Sequence, residues 1–329
     1  MKALLQVRNL SIGIQMHRQL LSSVEDISFD LYKGEILGIV GESGSGKTLT
    51  ALSIAGLLGG NKNVIDGSIW YFGRNLLTLE EKELRKLRGS EISMIFQEPF
   101  SSLNPLLPVG EQIAETLALH GEKDKTLVKA RVIELMGKLG LNDPEKLVDA
   151  YPHQLSGGMC QRVMIALAII CRPRLLIADE PTTALDYNTQ RQILALMKEI
   201  NRNMGTSILF ISHDLSLVKD FCNRVMVMYS GRILEEGSTE EVFRHPAHEY
   251  TRGLLASIPG EANKGKALAA IPGKVPSLEE GRPGGCPFHP RCGKARAGCR
   301  EEFPFARSVF TRETSDSSHR TRCILKEEE

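Results

Sequence analysis

The chain has 329 residues, of which 42% are hydrophobic and 25% charged, and a formal net charge of +1. This is ordinary globular composition, enough for one large domain alone or with an appendage, and it excludes a general electrostatic attraction to nucleic acid or anionic membranes. The longest apolar run, at 163–170, is too short to span a bilayer, and the N-terminus lacks a signal-peptide pattern, so any membrane role requires partner subunits that do the spanning.

A phosphate-binding loop is the first functional pattern along the chain. Residues 3–34 alternate apolar and polar side chains, which predicts antiparallel strands, and the apolar run at 36–40 predicts a strand buried on both faces. The following GESGSGKT fits the Walker A pattern and opens a helix, which is the context this motif requires. We expect Lys47 to reach the β- and γ-phosphates and Thr48 to ligate Mg²⁺. The residues predicted to bind ATP are Gly41, Ser43, Gly44, Ser45, Gly46, Lys47, Thr48 and Leu49.

A second glycine-containing helix start lies in the middle of the chain. Residues 98–170 are mostly helical by periodicity, and Leu155-Ser156-Gly157-Gly158 opens a strongly apolar helix. Such an end binds anions, and a dimer would use it if each protomer capped the ATP of the other. Taken alone, the pattern is better explained by a helix N-cap with flexible glycines.

Two later strand ends carry ionisable side chains. The apolar run at 175–178 ends in Asp179 and Glu180, and the run at 207–212 ends before His213. Downstream of a phosphate loop, Asp179 suits the Walker B role of holding Mg²⁺, mostly through water. Glu180 suits a general base for the attacking water. Because open α/β sheets bind ligands at the C-terminal ends of their strands, His213 is a third candidate.

The motifs occur in a characteristic order. Walker A is followed by SMIFQEP at 93–99, LSGGMCQR at 155–162, LLIADEPTTALD at 175–186 and ISHD at 211–214. In order and spacing they resemble the ATPase subunits of ABC transporters over roughly residues 3–240. The resemblance implies an α/β fold, namely an ABC-type P-loop ATPase with a RecA-like core, an antiparallel β subdomain and a helical subdomain at about 98–170.

The resemblance also implies roles for single residues. Gln97 is expected to sense Mg²⁺ and water and to link to the membrane subunits, His213 to contact the γ-phosphate, and Asp186 to end the D-loop. Ser156, Gly157 and Gly158 are expected to meet the γ-phosphate of a partner ATPase. The implied catalytic residues are Glu180, His213 and Gln97, and the implied Mg²⁺ site is Thr48, Gln97 and Asp179.

Two positions depart from the family pattern. Met159 stands where the signature usually continues with Gln, but the backbone N–H groups and Ser156 are unaffected, so we expect activity to survive. The stretch IQMHRQLLSS, about thirty positions before Lys47, contains no Phe, Tyr or Trp to stack on adenine. Stacking by His17 or Arg18 and a purely apolar contact both remain open.

Four cysteines lie near the C-terminus, after a Pro/Gly-rich stretch at 243–285 that predicts a linker running over the surface. Cys286, Cys292, Cys299 and Cys323 are separated by 5, 6 and 23 residues. This spacing contains neither the Cys-x₂-Cys knuckle of common zinc sites nor the compact ferredoxin run. Four thiolates here fit an iron–sulfur cluster, a zinc ion or no ligand. Because segments so poor in apolar residues rarely fold without a staple, a bound group is favoured.

The tail resembles the C-terminal extension of the dipeptide and oligopeptide branch of ABC importers, on the strength of HPAHEYTRGLL at 245–255 and CPFHPRC at 286–292. The resemblance implies a [4Fe–4S] cluster on the four cysteines, with zinc as the alternative. It divides the chain into an ATPase domain at 1–240 and an extension at 241–329. Peptide is favoured over nickel or another small solute, because shorter nickel-type relatives tend to lack this tail.

Together these features predict an ATP-hydrolysing subunit that powers import of dipeptides or oligopeptides from the cytoplasmic face of the membrane. The expected partners are two transmembrane permease subunits, a second ATPase subunit that forms a heterodimer, and, indirectly, an extracytoplasmic peptide-binding protein. A soluble ABC ATPase acting on ribosomes or DNA is a weaker alternative, because the chain has one ATPase unit, no long coiled coil and no basic stripe, and we expect no nucleic-acid partner. A redox sensor whose cluster gates transport is a third alternative.

Overall fold

The computed structural model describes residues 2–16, 19–183, 185–258, 270–309 and 318–325. The chain forms two compact units. The helical unit is built mainly from Tyr32–Glu35 and Thr78–Phe210, and the phosphate-loop unit mainly from Ala3–Leu31, Ile36–Leu77 and Ile211–Glu329. His17 and Arg18, the candidates for adenine stacking, lie outside the described residues.

The N-terminal part of the phosphate-loop unit contains an antiparallel sheet, as the alternating pattern predicts. Its elements are β1 Ala3–Met16, β2 Gln19–Tyr32, β3 Ile36–Val40, α1 Lys47–Ile54, β4 Lys62–Tyr71 and β5 Arg74–Asn75. The sheet has the order β2-β1-β4-β5, and Leu5 of β1 lies opposite Tyr71 of β4. Leu5, Val7, Ile69 and Tyr71 are all buried, so one face of this sheet is apolar core.

The helical unit carries five helices between its first two strands. Its elements are α2 Glu81–Leu87, β6 Ile92–Ile95, α3 Pro99–Ser102, α4 Val109–Leu119, α5 Lys125–Lys138, α6 Pro144–Leu147, α7 Gly157–Ile169, β7 Leu175–Asp179 and α8 Tyr187–Met204, followed by β8 Ser207–Ser212. β6 pairs in parallel with β7, and all five residues of β7 are buried, as the continuous apolar run predicts. The helix α7 is also largely buried, which explains why its sequence is apolar on most sides.

The remainder of the phosphate-loop unit adds further strands and helices after β8. It contains α9 Leu215–Phe221, β9 Arg224–Tyr229, β10 Arg232–Ser238, α10 Thr239–Arg244, α11 Glu249–Ala256, α12 Gly298–Glu301, β11 Arg307–Ser308 and β12 Arg320–Thr321. β3 is parallel to β9, and β9 turns at Ser230-Gly231 into antiparallel β10, as predicted. The φ angles of 45° and 78° at Ser230 and Gly231 give the left-handed conformation that tight hairpins require. β12, just before Cys323, pairs in antiparallel with β10.

The prediction of a surface linker at 243–285 is wrong for its first part. α10 ends at Arg244 and α11 follows at Glu249–Ala256, where the side chain of Tyr250 is fully buried. The connection is tied down by Glu235 of β10, whose buried carboxylate accepts hydrogen bonds from Ala247 N at 2.7 Å and His248 N at 2.9 Å. Glycines and prolines identify turns, but they do not reveal a buried acceptor such as Glu235.

Within the described ranges, none of the helices combines the length and the apolar character needed to cross a bilayer.

Candidate active site

The phosphate loop between β3 and α1 is shaped by glycines. Gly41, Gly44 and Gly46 have φ angles of 154°, 79° and 97°, which residues with a side chain rarely adopt. A Cβ at Gly41 would lie 2.1 Å from the carbonyl oxygen of Met228, and a Cβ at Gly46 would lie 2.8 Å from Val24 Cγ2. The first and last glycines are therefore required both for backbone conformation and for close approach to neighbouring strands.

Lys47 lies inside this loop. Its Nζ donates to the carbonyl oxygens of Gly41 at 2.7 Å and Glu42 at 3.0 Å, and to Ser45 Oγ at 3.3 Å. The Lys47 side chain is buried, so the loop holds a positive charge among its own oxygens. Of the other predicted ATP-binding residues, Ser43, Gly44 and Thr48 are exposed and Leu49 is half-buried.

In the helical unit the structure brings two predicted catalytic residues together. Gln97 Nε2 donates to Glu180 Oε2 at 3.2 Å, and Thr183 Oγ1 donates to the same oxygen at 3.0 Å. Asp179 is the last residue of β7 and is buried, whereas Glu180 follows it with a left-handed φ of 48°. Sequence reasoning missed Thr183, although it lies in the quoted LLIADEPTTALD.

The signature residues stand at the start of α7. Ser156 is the N-cap, and its Oγ accepts a hydrogen bond from Met159 N at 3.3 Å, so the unusual Met159 takes part in the cap through its backbone. Ser156 is exposed, and Gly157 and Gly158 are half-buried. A Cβ at Gly157 would meet its nearest atom, Phe100 Cε2, at 3.9 Å, so there is room beside this glycine. The N-terminus of a long helix thus presents a hydroxyl and small residues to solvent.

His213 and Asp186 each lie just before the start of a helix. His213 is exposed immediately after β8. Asp186 caps α8 by accepting hydrogen bonds from the backbone N–H groups of Asn188 and Thr189, both at 3.0 Å. The Thr189 hydroxyl donates to Asp186 as well, and these hydrogen bonds lower the pKa of the Asp186 carboxyl. The last D-loop residue is therefore a charged N-cap.

All four C-terminal cysteines line one small cavity in the phosphate-loop unit. Cys286, Cys299 and Cys323 are buried and Cys292 is half-buried, and all four are free thiols. The backbone N–H of Cys286 donates to the Cys299 carbonyl at 2.9 Å, which fastens two of the four segments to each other. Sequence spacing alone could not show this convergence.

The cavity supplies four thiols, which are the donors of a thiolate-bound group, but burial favours the protonated form of Cys286, Cys292 and Cys323. Burial is the main reason that the pKa of Cys286 is raised to about 12, and the three other cysteines raise it further. Burial also raises the pKa of Cys292 and Cys323. A bound cation would reverse this by favouring thiolates. Over the described part of the chain, however, no three His, Cys, Asp or Glu side chains are arranged so as to hold a metal ion.

Residues of the C-terminal extension also contact the phosphate loop, which the sequence patterns did not predict. The N–H of Glu42 donates to the Tyr250 hydroxyl at 2.9 Å. The Glu42 carboxylate accepts from Arg291 Nη1 at 2.6 Å and Nη2 at 3.0 Å. Tyr250 and Arg291 belong to the region that the sequence treats as an appendage, so this region is packed on the loop.

Comparison with known proteins identifies the family. The profile described as ABC transporter matches residues 24–183, and the profile described as oligopeptide/dipeptide transporter, C-terminal region, matches residues 234–299. The oligopeptide transport ATP-binding protein OppD of Haemophilus influenzae is 46% identical over 299 residues, which cover 91% of this chain and 92% of that protein. The chain belongs to the ABC transporter ATP-binding family.

Other members of the ABC family match over similar lengths. The oligopeptide transport ATP-binding protein AppD of Bacillus subtilis is 46% identical over 334 residues, covering 100% of this chain and 98% of that protein. The dipeptide transport ATP-binding protein DppD of Escherichia coli is 44% identical over 302 residues, covering 92% of each chain. Similarity to these proteins therefore includes the C-terminal extension.

Solved ABC cassettes share the fold of the larger part of the chain. A dimeric ATP-binding cassette in a post-hydrolysis state bound to ADP and Pi matches with a TM-score of 0.65 and 27% identity, covering 71% of this chain and 98% of that one. The protein cbiO1 of Clostridium perfringens, part of the ABC transporter complex cbiONQ, matches with a TM-score of 0.64 and 27% identity, covering 74% and 92%. The predicted ABC ATPase fold is confirmed.

Proposed function

We propose that this chain is the ATP-hydrolysing subunit that powers import of dipeptides or oligopeptides through partner membrane subunits. The observation that carries the proposal is the phosphate loop closed around Lys47, in a chain whose similarity to peptide-transport ATP-binding proteins continues through the C-terminal extension. Nickel or another small solute is the second candidate for the cargo, and a soluble non-transport role is the third.

The side chains of the phosphate loop suit ATP binding. Lys47 would exchange its loop carbonyl partners for β- and γ-phosphate oxygens, and the loop N–H groups would add further donors. Thr48 and Asp179, with Gln97, would hold Mg²⁺, which offsets the charge on the β- and γ-phosphates. The full set proposed to bind ATP is Gly41, Ser43, Gly44, Ser45, Gly46, Lys47, Thr48 and Leu49.

For hydrolysis, Glu180 is proposed as the general base that accepts a proton from the attacking water. The hydrogen bonds that its Oε2 accepts from Gln97 and Thr183 orient its carboxylate. His213, exposed after β8, is proposed to contact the γ-phosphate.

The signature Ser156, Gly157 and Gly158 are proposed to act on the nucleotide of a second ATPase subunit. An exposed helix N-terminus with a serine and two glycines suits a phosphate brought by another molecule.

The proposed assembly is a heterodimer of ATPases on two permease subunits, peripheral to the cytoplasmic face of the membrane. An extracytoplasmic binding protein would supply the peptide. Within the chain, we propose an ATPase domain at 1–240, with its helical subdomain at about 98–170, and an extension at 241–329.

The four cysteines are proposed to hold a [4Fe–4S] cluster, with a zinc ion as the alternative. Support comes from the shared cavity that all four line. Such a group would supply a structural cross-link for a segment with few apolar residues.

The function is tested by exchanging Glu180 for Gln in the chain assembled with its permease subunits. Glu180→Gln should bind MgATP but hydrolyse it at least about a hundredfold more slowly, since general-base catalysis contributes about this much. Glu199→Gln, which alters an exposed carboxyl on α8, is the matched control. Peptide uptake should stop with Glu180→Gln alone, and unlabelled dipeptides, but not nickel salts, should compete with uptake. Normal turnover by Glu180→Gln would disprove the assignment.

A further inference from the structure

Glu42 is the second residue of the phosphate loop, and its polar groups are divided between two neighbours. Its carbonyl oxygen accepts from Lys47 Nζ at 3.0 Å, inside the loop. Its N–H donates to the Tyr250 hydroxyl at 2.9 Å, and its carboxylate pairs with Arg291. Burial holds the pKa of Tyr250 far above its usual range, so the hydroxyl remains a neutral acceptor. One loop residue thus joins the phosphate-binding lysine to the C-terminal extension.

Arg291 is held rigidly on the extension side. Its side chain is only 5% exposed and lies over the rings of Tyr229 and Phe288, at 5.7 and 5.9 Å from their centroids. Its Nε donates to the Pro272 carbonyl at 2.8 Å, and both terminal nitrogens donate to Glu42. A bidentate pair with a buried, stacked guanidinium fixes the direction of the carboxylate as well as neutralising its charge.

The charge of Glu42 matters because of where it lies. A triphosphate bound at Lys47 would lie on a loop that also carries the Glu42 carboxylate. Like charges that lie close together near a protein surface repel each other appreciably. The Arg291 cation cancels this repulsion, and the guanidinium together with Tyr250 turns the side chain and the N–H of Glu42 toward the extension.

We propose that Arg291 is a positioning residue of the ATP site, which neutralises Glu42 and holds it toward the extension so that the phosphate loop accepts a triphosphate. This inference rests on the proposed function, in which the loop binds MgATP. It gives the C-terminal extension a direct influence on nucleotide affinity, separate from any group bound by the cysteines.

The test measures MgATP affinity by calorimetric titration of the full-length chain. Arg291→Ala should raise the Kd about tenfold, because Glu42 is left charged and unpaired. Glu42→Gln should bind at least as tightly as the natural chain, and the double variant Glu42→Gln/Arg291→Ala should regain affinity to within about threefold of Glu42→Gln. Arg252→Ala is the control, since this extension arginine pairs with Glu249 and donates to the Pro246 carbonyl, away from the loop.

The double variant separates positioning from anchoring. If Arg291 only fastens the extension, Arg291→Ala and the double variant will bind MgATP equally weakly, and the proposal is overturned, as it also is if Arg291→Ala binds normally. Should Arg291→Ala fail to fold, Arg291→Lys keeps the charge without the fork and should raise the Kd about threefold; unchanged affinity there would overturn the proposal. A natural chain that binds MgATP no better than Lys47→Ala would instead overturn the proposed function, and this inference with it.

Discussion

Replacing Gly41 by Ala tests whether the shape of the phosphate loop depends on the packing of its first glycine. The added Cβ would lie 2.1 Å from the Met228 carbonyl oxygen on β9, at a backbone φ of 154°. Real Cβ atoms do not approach so closely, so the loop or the strand must move. Gly44 provides a matched control, because its φ is 79° but no atom lies within 4 Å of a Cβ built there.

Two effects are expected to lower the free energy of unfolding in Gly41→Ala, but only one of them acts in Gly44→Ala. An unfavourable backbone conformation costs about 1–3 kcal/mol in either variant. Overpacking against a strand adds about 1–3 kcal/mol in Gly41→Ala alone. We therefore expect Gly41→Ala to lower the free energy of unfolding by about 2–6 kcal/mol, and Gly44→Ala by about 1–3 kcal/mol.

Two measurements check this difference. Denaturant unfolding gives the stability of both variants, and calorimetric titration gives their affinity for MgATP. Because movement of the loop misplaces the N–H groups that face the phosphates, Gly41→Ala should bind at least about tenfold more weakly than Gly44→Ala, which corresponds to about 1.4 kcal/mol. Equal stability and equal affinity of the two variants would refute the reasoning from close packing.

Three further changes test other parts of the chain. Lys47→Ala should weaken MgATP binding at least about tenfold in a titration, because its charge meets the phosphates in the ground state; unchanged affinity would contradict the loop assignment. Gly157→Asp has room for its side chain and should leave ATP binding by the isolated chain intact. It should abolish ATP-dependent pairing with the second ATPase subunit in a sedimentation assay. Equal loss of binding and pairing would mean that the signature does not act on a partner. Anaerobically purified chain should be brown with about four irons, and Cys286→Ser should lose this colour while still binding ATP. A colourless protein with one zinc ion per chain would contradict the cluster and support the alternative zinc site.

Much of the fold follows from local sequence. The apolar run of β7 and the strand–loop–helix around Lys47 lie where the sequence predicts them, because burial on both faces and glycine conformation act within a few residues. The hairpin at Ser230-Gly231 is confirmed for the same reason. The linker prediction failed after Arg244, because α11 is held by a buried glutamate of β10 that composition does not reveal.

In the candidate site, too, the sequence suggested which residues take part, whereas the structure showed which of them are in contact. The family resemblance predicts Gln97 and the strand end predicts Glu180 as catalytic residues, but their hydrogen bond and the contact of Thr183 depend on how separate segments pack. Cysteine spacing left the C-terminal site undecided, whereas the structure places the four thiols around one cavity. In both cases the sequence names the chemical groups and packing determines their partners.

By itself, then, the sequence determined the chemistry of the nucleotide site, since a phosphate loop is encoded by neighbouring residues whose backbone preferences are local. The tertiary structure decided what surrounds it. Glu42 and Arg291 are 249 positions apart, and nothing in either local pattern predicts their ion pair. They meet where Phe288 packs against Tyr229 and Arg291 lies over the Tyr229 ring, contacts that form only when groups distant in sequence are buried together.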